Sequence, residues 1–119
     1  MSGWIGVDLD GTLARYEGWK GDGKIGEPIE AMSQRVREWL AQGKEVRIFT
    51  ARAWEWETAP VGSEKTAMYK DQVYPIVQWA EKHFGQLLRV TCMKDYGMIE
   101  LWDDRAIQVR MNTGERVGE

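Results

Sequence analysis

Two aspartates, Asp8 and Asp10, close a short apolar stretch that reads Trp4-Ile-Gly-Val-Asp8-Leu-Asp10-Gly-Thr-Leu13. Residues two apart on a strand share a face, and a turn at Gly11 lets the two carboxylates converge on one point. Hard divalent cations such as Mg²⁺ seek oxygen ligands of this kind. The pair also permits a division of labour in which one carboxylate attacks and its neighbour moves protons. Three further polar signals follow apolar stretches: Thr50-Ala51-Arg52 after 45–49, Lys94 after 87–91, and Asp103-Asp104 after 98–102.

The elements that must position these groups alternate along the chain. Residues 3–9 read as a first strand. Residues 14–27, rich in glycine and charge, read as a flap with a Gly-Asp-Gly turn whose flanks pair as a small hairpin. Pro28 opens a helix in which Ile29, Met32, Val36 and Leu40 recur at helical spacing, and Gly43 ends it. The alternating segment 45–49 is a second strand. Residues 53–62 lack periodicity and read as a loop. A helix capped by Ser63 or Thr66 runs to about Phe84, kinked or split at Pro75. Strands at 87–91 and 98–102 follow, then a short last strand at 106–109 and a loose tail from Asn112. This alternation with short connections predicts one α/β domain over residues 1–119, a three-layer Rossmann-like parallel sheet without a cap domain.

In a parallel sheet, ligands bind outside the carboxyl ends of the strands, near a topological switch point. Asp8, Asp10, Thr50, Lys94, Asp103 and Asp104 all fall at that edge in this reading. Their order resembles the four motifs of the haloacid dehalogenase-like (HAD) phosphohydrolases over nearly the whole chain. Asp8-Leu-Asp10-Gly-Thr-Leu13 and the Asp103-Asp104 pair are the specific parts, and Thr50 and Lys94 gain force from position. The segment Trp102-Asp-Asp-Arg-Ala106 also looks like small capless members and like the phosphatase half of polynucleotide kinases.

The resemblance implies a Mg²⁺-dependent phosphomonoester hydrolase. Asp8 is then the nucleophile that becomes an aspartyl-phosphate, and Asp10 the acid and base. Thr50, with backbone N–H groups near Asp10 and Ala51, orients the phosphoryl group, and Lys94 adds positive charge. Mg²⁺ would be held by Asp8, the Asp10 carbonyl and Asp103, with Asp104 tuning it from behind. Arg52 and Trp19 are candidate substrate contacts. An open cleft implies cover by a macromolecule or a neighbouring subunit, so the expected partners are a phosphorylated small molecule or a nucleic-acid end, with a homo-oligomer over the cleft. Two other classes compete. A receiver-like signalling domain uses similar residues, but its acidic pair comes first and its phosphorylated aspartate ends a later strand. A non-catalytic phosphate-binding protein would keep all the same groups.

Bulk properties set bounds on these readings. The 119 residues carry a net charge of −3, with 43% hydrophobic and 29% charged residues, an ordinary globular balance. No dense basic block provides a broad footprint for nucleic acid. No apolar run approaches the roughly 20 residues of a membrane-crossing helix, so no membrane partner is expected. The N-terminus has no basic region followed by an apolar stretch, and the single cysteine, Cys92, forms no internal disulfide; a cytoplasmic protein is expected. Of seven tryptophans, Trp4, Trp39, Trp79 and Trp102 fall on strands or helices and read as packing. Trp19, Trp54 and Trp56 fall in loops beside the proposed site, where they either pack against another subunit or stack on a substrate.

Overall fold

The computed structural model describes residues 3–118. Four strands, β1 (Trp4–Asp8), β2 (Glu45–Phe49), β3 (Arg89–Thr91) and β4 (Met98–Trp102), form one all-parallel sheet in the order β3-β2-β1-β4. Helix α1 (Glu30–Ala41) connects β1 to β2. Between β2 and β3 lie a 3₁₀ turn (Ala51–Ala53), α2 (Trp54–Thr58), α3 (Lys65–Met68), a π-helical turn (Tyr69–Val73) and α4 (Tyr74–Phe84). The layout is Rossmann-like.

Strand alternation builds the core. Ile5 and Val7 of β1 share a face with Val46 and Ile48 of β2 and Val90 of β3, and that face meets Met32 and Val36 of α1 and Ile76 and Ala80 of α4 in one apolar cluster. Both crossovers step the same way along the sheet, and right-handed connections that step the same way put their helices on one face. Truncating a side chain as enclosed as Ile48 to alanine would cost about 2–5 kcal/mol.

Among the described residues the opposite face carries no helix, so two layers stand where three were expected. The chain must return from β3, past β2 and β1, to reach β4, and residues 92–97 are too few for a helical crossover. They cross the sheet face instead. Asp95 anchors them, accepting from the Trp4 indole N–H at 2.7 Å and from the Gly97 N–H at 2.8 Å. The Arg47 guanidinium lies over the Trp4 ring, 4.4 Å from its centroid. Gly6 makes this closure fit, since a Cβ there would stand 3.0 Å from the Met98 methyl and 3.1 Å from the Trp4 ring.

Several local expectations change. The 14–27 segment is no hairpin; only its base pairs, through an Ala14–Pro28 bridge and an Arg15 N–H to Glu27 O bond of 2.8 Å. Residues 15–24 are exposed, so neither arm has an apolar face to bury, and a lone two-stranded hairpin is marginal. Helix α1 starts after Ile29 rather than at Pro28. Residues 53–62 are partly helical. Pro75 falls in the first turn of α4, where its missing N–H leaves no gap, and the preceding π-helical turn absorbs the break. Residues 106–109 do not join the sheet. They meet the tail itself, through a Val109–Arg116 bridge closed by a Val117 N–H to Gln108 O bond of 2.9 Å, so the tail is folded back rather than loose. No described helix is long and apolar enough to cross a membrane.

Candidate functional site

The chain leaves β1 towards β2 but returns on the other side at β4, so the carboxyl ends of β1 and β4 flank a topological switch point. Asp8 is the last residue of β1. Pairing of Val7 with Trp102 sets Asp103 and Asp104 beside it. One carboxylate oxygen from each of Asp8, Asp103 and Asp104 lies within 4.8 Å of the others. Asp104, expected behind a metal, therefore stands in the cluster itself.

A tight turn completes the arrangement. Gly11 has φ +92°, and the Leu13 and Ala14 N–H groups bond back to Leu9 O at 3.0 and 2.8 Å. The turn carries Thr12 over the carboxylates, with its hydroxyl 3.2 Å from both Asp8 Oδ2 and Asp104 Oδ1. The same oxygen accepts the Asp104 N–H at 3.0 Å. The Asp103 carboxylate accepts the Arg105 N–H at 2.8 Å, which orients it. Sequence reasoning gave Thr12 no role; its place four residues after Asp8, behind a turn glycine, was the available signal.

Burial, then the Asp104 carboxyl and the Asp103 charge, push the Asp8 carboxyl up from 3.8 to about 7, against a smaller opposing effect of the Thr12 hydroxyl. Clustered carboxylates at such a cost are a donor set suited to a hard divalent cation, whose charge would offset their repulsion.

Asp10 sits differently. Its two oxygens are both taken by Arg52, at 2.8 Å from Nε and 2.8 Å from Nη2. Arg52 also donates to the carbonyls of Gly23 and Lys24 at 3.0 Å each, and lies over the Trp19 ring at 5.0 Å. It thus clasps the 14–27 flap to the β1 turn. Thr50 caps the 3₁₀ turn, its oxygen accepting the Arg52 N–H at 3.1 Å. Behind it, Glu57 of α2 accepts from the Thr91 hydroxyl at 2.7 Å and from the Cys92 N–H at 2.6 Å, tying that helix to the end of β3.

Asp8, Asp10, Trp19, Thr50, Ala51, Arg52, Asp103 and Asp104 line one cavity of about 650 Å³, which Trp54 and Arg105 also border. Lys94 is not brought to it. This lysine is exposed, makes no ion pair among the described residues, and lines a separate cavity with Ile99, Leu101 and Ile107 that Asp103 alone of the cluster shares. No family model, curated protein or solved structure matches the chain.

Proposed function

We propose that this chain is a Mg²⁺-dependent phosphomonoester hydrolase of the HAD-like kind, working through an aspartyl-phosphate on Asp8. The carrying observation is the gathering of Asp8, Asp103 and Asp104 at the switch point of a parallel sheet, with one oxygen from each within 4.8 Å. Asp8, Asp103 and the Asp10 carbonyl would hold Mg²⁺, with Asp104 beside them. The cation would neutralise the carboxylates and the phosphoryl oxygens, letting one anion approach another.

The protein's own groups account for the rest. Asp8 attacks phosphorus in line; an Asp8 oxygen–phosphorus bond forms as the ester oxygen departs. Asp10 gives that oxygen its proton, then takes one from the water that releases phosphate. Thr50 and the Ala51 N–H hold the phosphoryl oxygens in orientation. Arg52 already lies in this cavity, bonded to Asp10, and its bidentate grip suits a phosphoryl group as well as a carboxylate. An arriving phosphoryl group offers Arg52 an alternative to Asp10 and so frees Asp10 for proton transfer.

The same pairing gives weight to a second reading, a phosphate-binding protein without turnover, because Asp10 is fully engaged and Lys94 faces another cavity. Phosphate release from a panel of monoesters, nucleotides and phosphorylated oligonucleotides separates the two. Turnover that needs Mg²⁺ and vanishes in Asp8→Asn supports the hydrolase. Mg²⁺-dependent phosphate binding with no release from any ester supports the second reading.

A further inference from the structure

We infer that a second cavity beside the carboxylate pocket is a nucleobase subsite, so that the phosphomonoester handled at Asp8 is a nucleoside monophosphate. The inference rests on the phosphomonoester reading above. This second cavity, of about 740 Å³, lies between the flap and the π-helical turn that leads into α4. Trp19, Ala51, Arg52 and Trp54 border both cavities, so a ligand can place its phosphoryl group in one and the rest of its body in the other.

Three features of the second cavity favour a flat heteroaromatic ring. Trp19 and Trp54 remain 61% and 62% exposed at its border, leaving large aromatic surface in contact with water. Indoles in a concave wall are stacking platforms for any base, and Arg52 over Trp19 fixes one of them in place. The charges in the wall balance, with Lys24, Arg52 and Lys70 facing Asp22, Glu55 and Asp71. A balanced wall suits an uncharged ring better than a second anionic group. Gln72, on the π-helical turn, also lines this cavity, and a side-chain amide offers both a donor and an acceptor to the edge of a base.

The same balance of charge argues for a free nucleotide over the end of a strand. A polynucleotide backbone needs a basic track, and neither the net charge of −3 nor this wall provides one.

Calorimetric titration tests the subsite without turnover. Asp8→Asn protein with Mg²⁺ is titrated with nucleoside monophosphates, with ribose 5-phosphate and with a short 5′-phosphorylated oligonucleotide. Nucleoside monophosphates are expected to bind about tenfold or more tightly than ribose 5-phosphate, the difference one stacked base contributes. Adding Trp19→Ala or Trp54→Ala should reduce that ratio severalfold, and the phenylalanine versions should restore most of it. Both side chains are exposed, so the substitutions leave the core intact. Equal affinities, a ratio untouched by both alanine variants, or tighter binding of the oligonucleotide would overturn the proposal. The two readings fail separately. Nucleotides bound but never hydrolysed by the wild-type chain leave the subsite standing and remove the hydrolase. Sugar phosphates cleaved as readily as nucleotides do the reverse.

Discussion

Replacing Asp8 by asparagine should stabilise the metal-free protein at neutral and alkaline pH while removing the proposed nucleophile. The native Asp8 carboxyl is pushed up from 3.8 to about 7, first by burial, then by the Asp104 carboxyl and the Asp103 charge. Its pKa in the folded state is therefore above that of the unfolded chain. The associated stability is fully present below about pH 4 and is lost as pH rises through about pH 7. A shift of this size corresponds to about 4 kcal/mol at full weight. Because Asp8 is only half-buried, solvent screening reduces this to about 1–2 kcal/mol. Asparagine keeps an oxygen for the Thr12 hydroxyl and carries no charge, so it escapes the penalty.

Thermal unfolding in chelator, followed by circular dichroism from about pH 5 to about pH 8, reads the difference directly. The variant should melt about 4–8 °C above wild type at the alkaline end, and the gap should close towards the acid end. Millimolar Mg²⁺ should then raise the wild-type midpoint more than the variant's, since only the wild type presents all three carboxylates. Carboxylates remote from the cluster contribute equally to both proteins and cancel in the comparison. A wild-type minus variant difference that stays constant across this pH window would refute the reasoning, whatever its sign.

Gly11→Ala should weaken the cluster without touching a carboxylate: its φ of +92° disfavours a Cβ, which would stand 2.8 Å from Asp104 Oδ2. We expect a loss of about 1–3 kcal/mol in urea unfolding and a weaker calorimetric Mg²⁺ affinity. Arg52→Ala removes both bonds to Asp10 and both bonds to the flap carbonyls. Hydrogen exchange should therefore accelerate across 15–27, with about 1–3 kcal/mol of destabilisation; unchanged exchange there would show that the flap is held by something else. Glu57→Ala orphans the Thr91 hydroxyl and the Cys92 N–H and should cost about 1–3 kcal/mol, whereas Glu57→Gln keeps an acceptor and should cost less. Burial and the Glu57 carboxylate both raise the Cys92 thiol, so Glu57→Gln should also speed its alkylation at mildly alkaline pH.

What was legible in the sequence depends on how far a residue lies from a strand end. Asp8 ends β1, Thr50 follows β2 directly, and Asp103 follows β4 directly. The hydrophobic alternation that fixes a strand's register also fixes such neighbours, so their convergence follows once the strands are recognised. Lys94 stands three residues past Thr91, beyond the reach of that register. Its expected place assumed a connection that stays at the carboxyl edge, as a helical crossover would at its start. The 92–97 connection instead dives across the open sheet face, drawn by Asp95 to the Trp4 indole and the Gly97 N–H. The two-layer architecture has the same origin: a connection too short for a helix leaves one face with none. Arg52 shows the complementary limit. Its position beside Thr50 was readable, but its partners Asp10, Gly23 and Lys24 are 42, 29 and 28 residues away, and no local pattern encodes such a contact. The carboxylate cluster is thus set by strand geometry, while the clasp that engages Asp10 is set by a loop that has no periodicity to read. Any search for specificity in this chain should therefore begin at that clasp and the tryptophans around it.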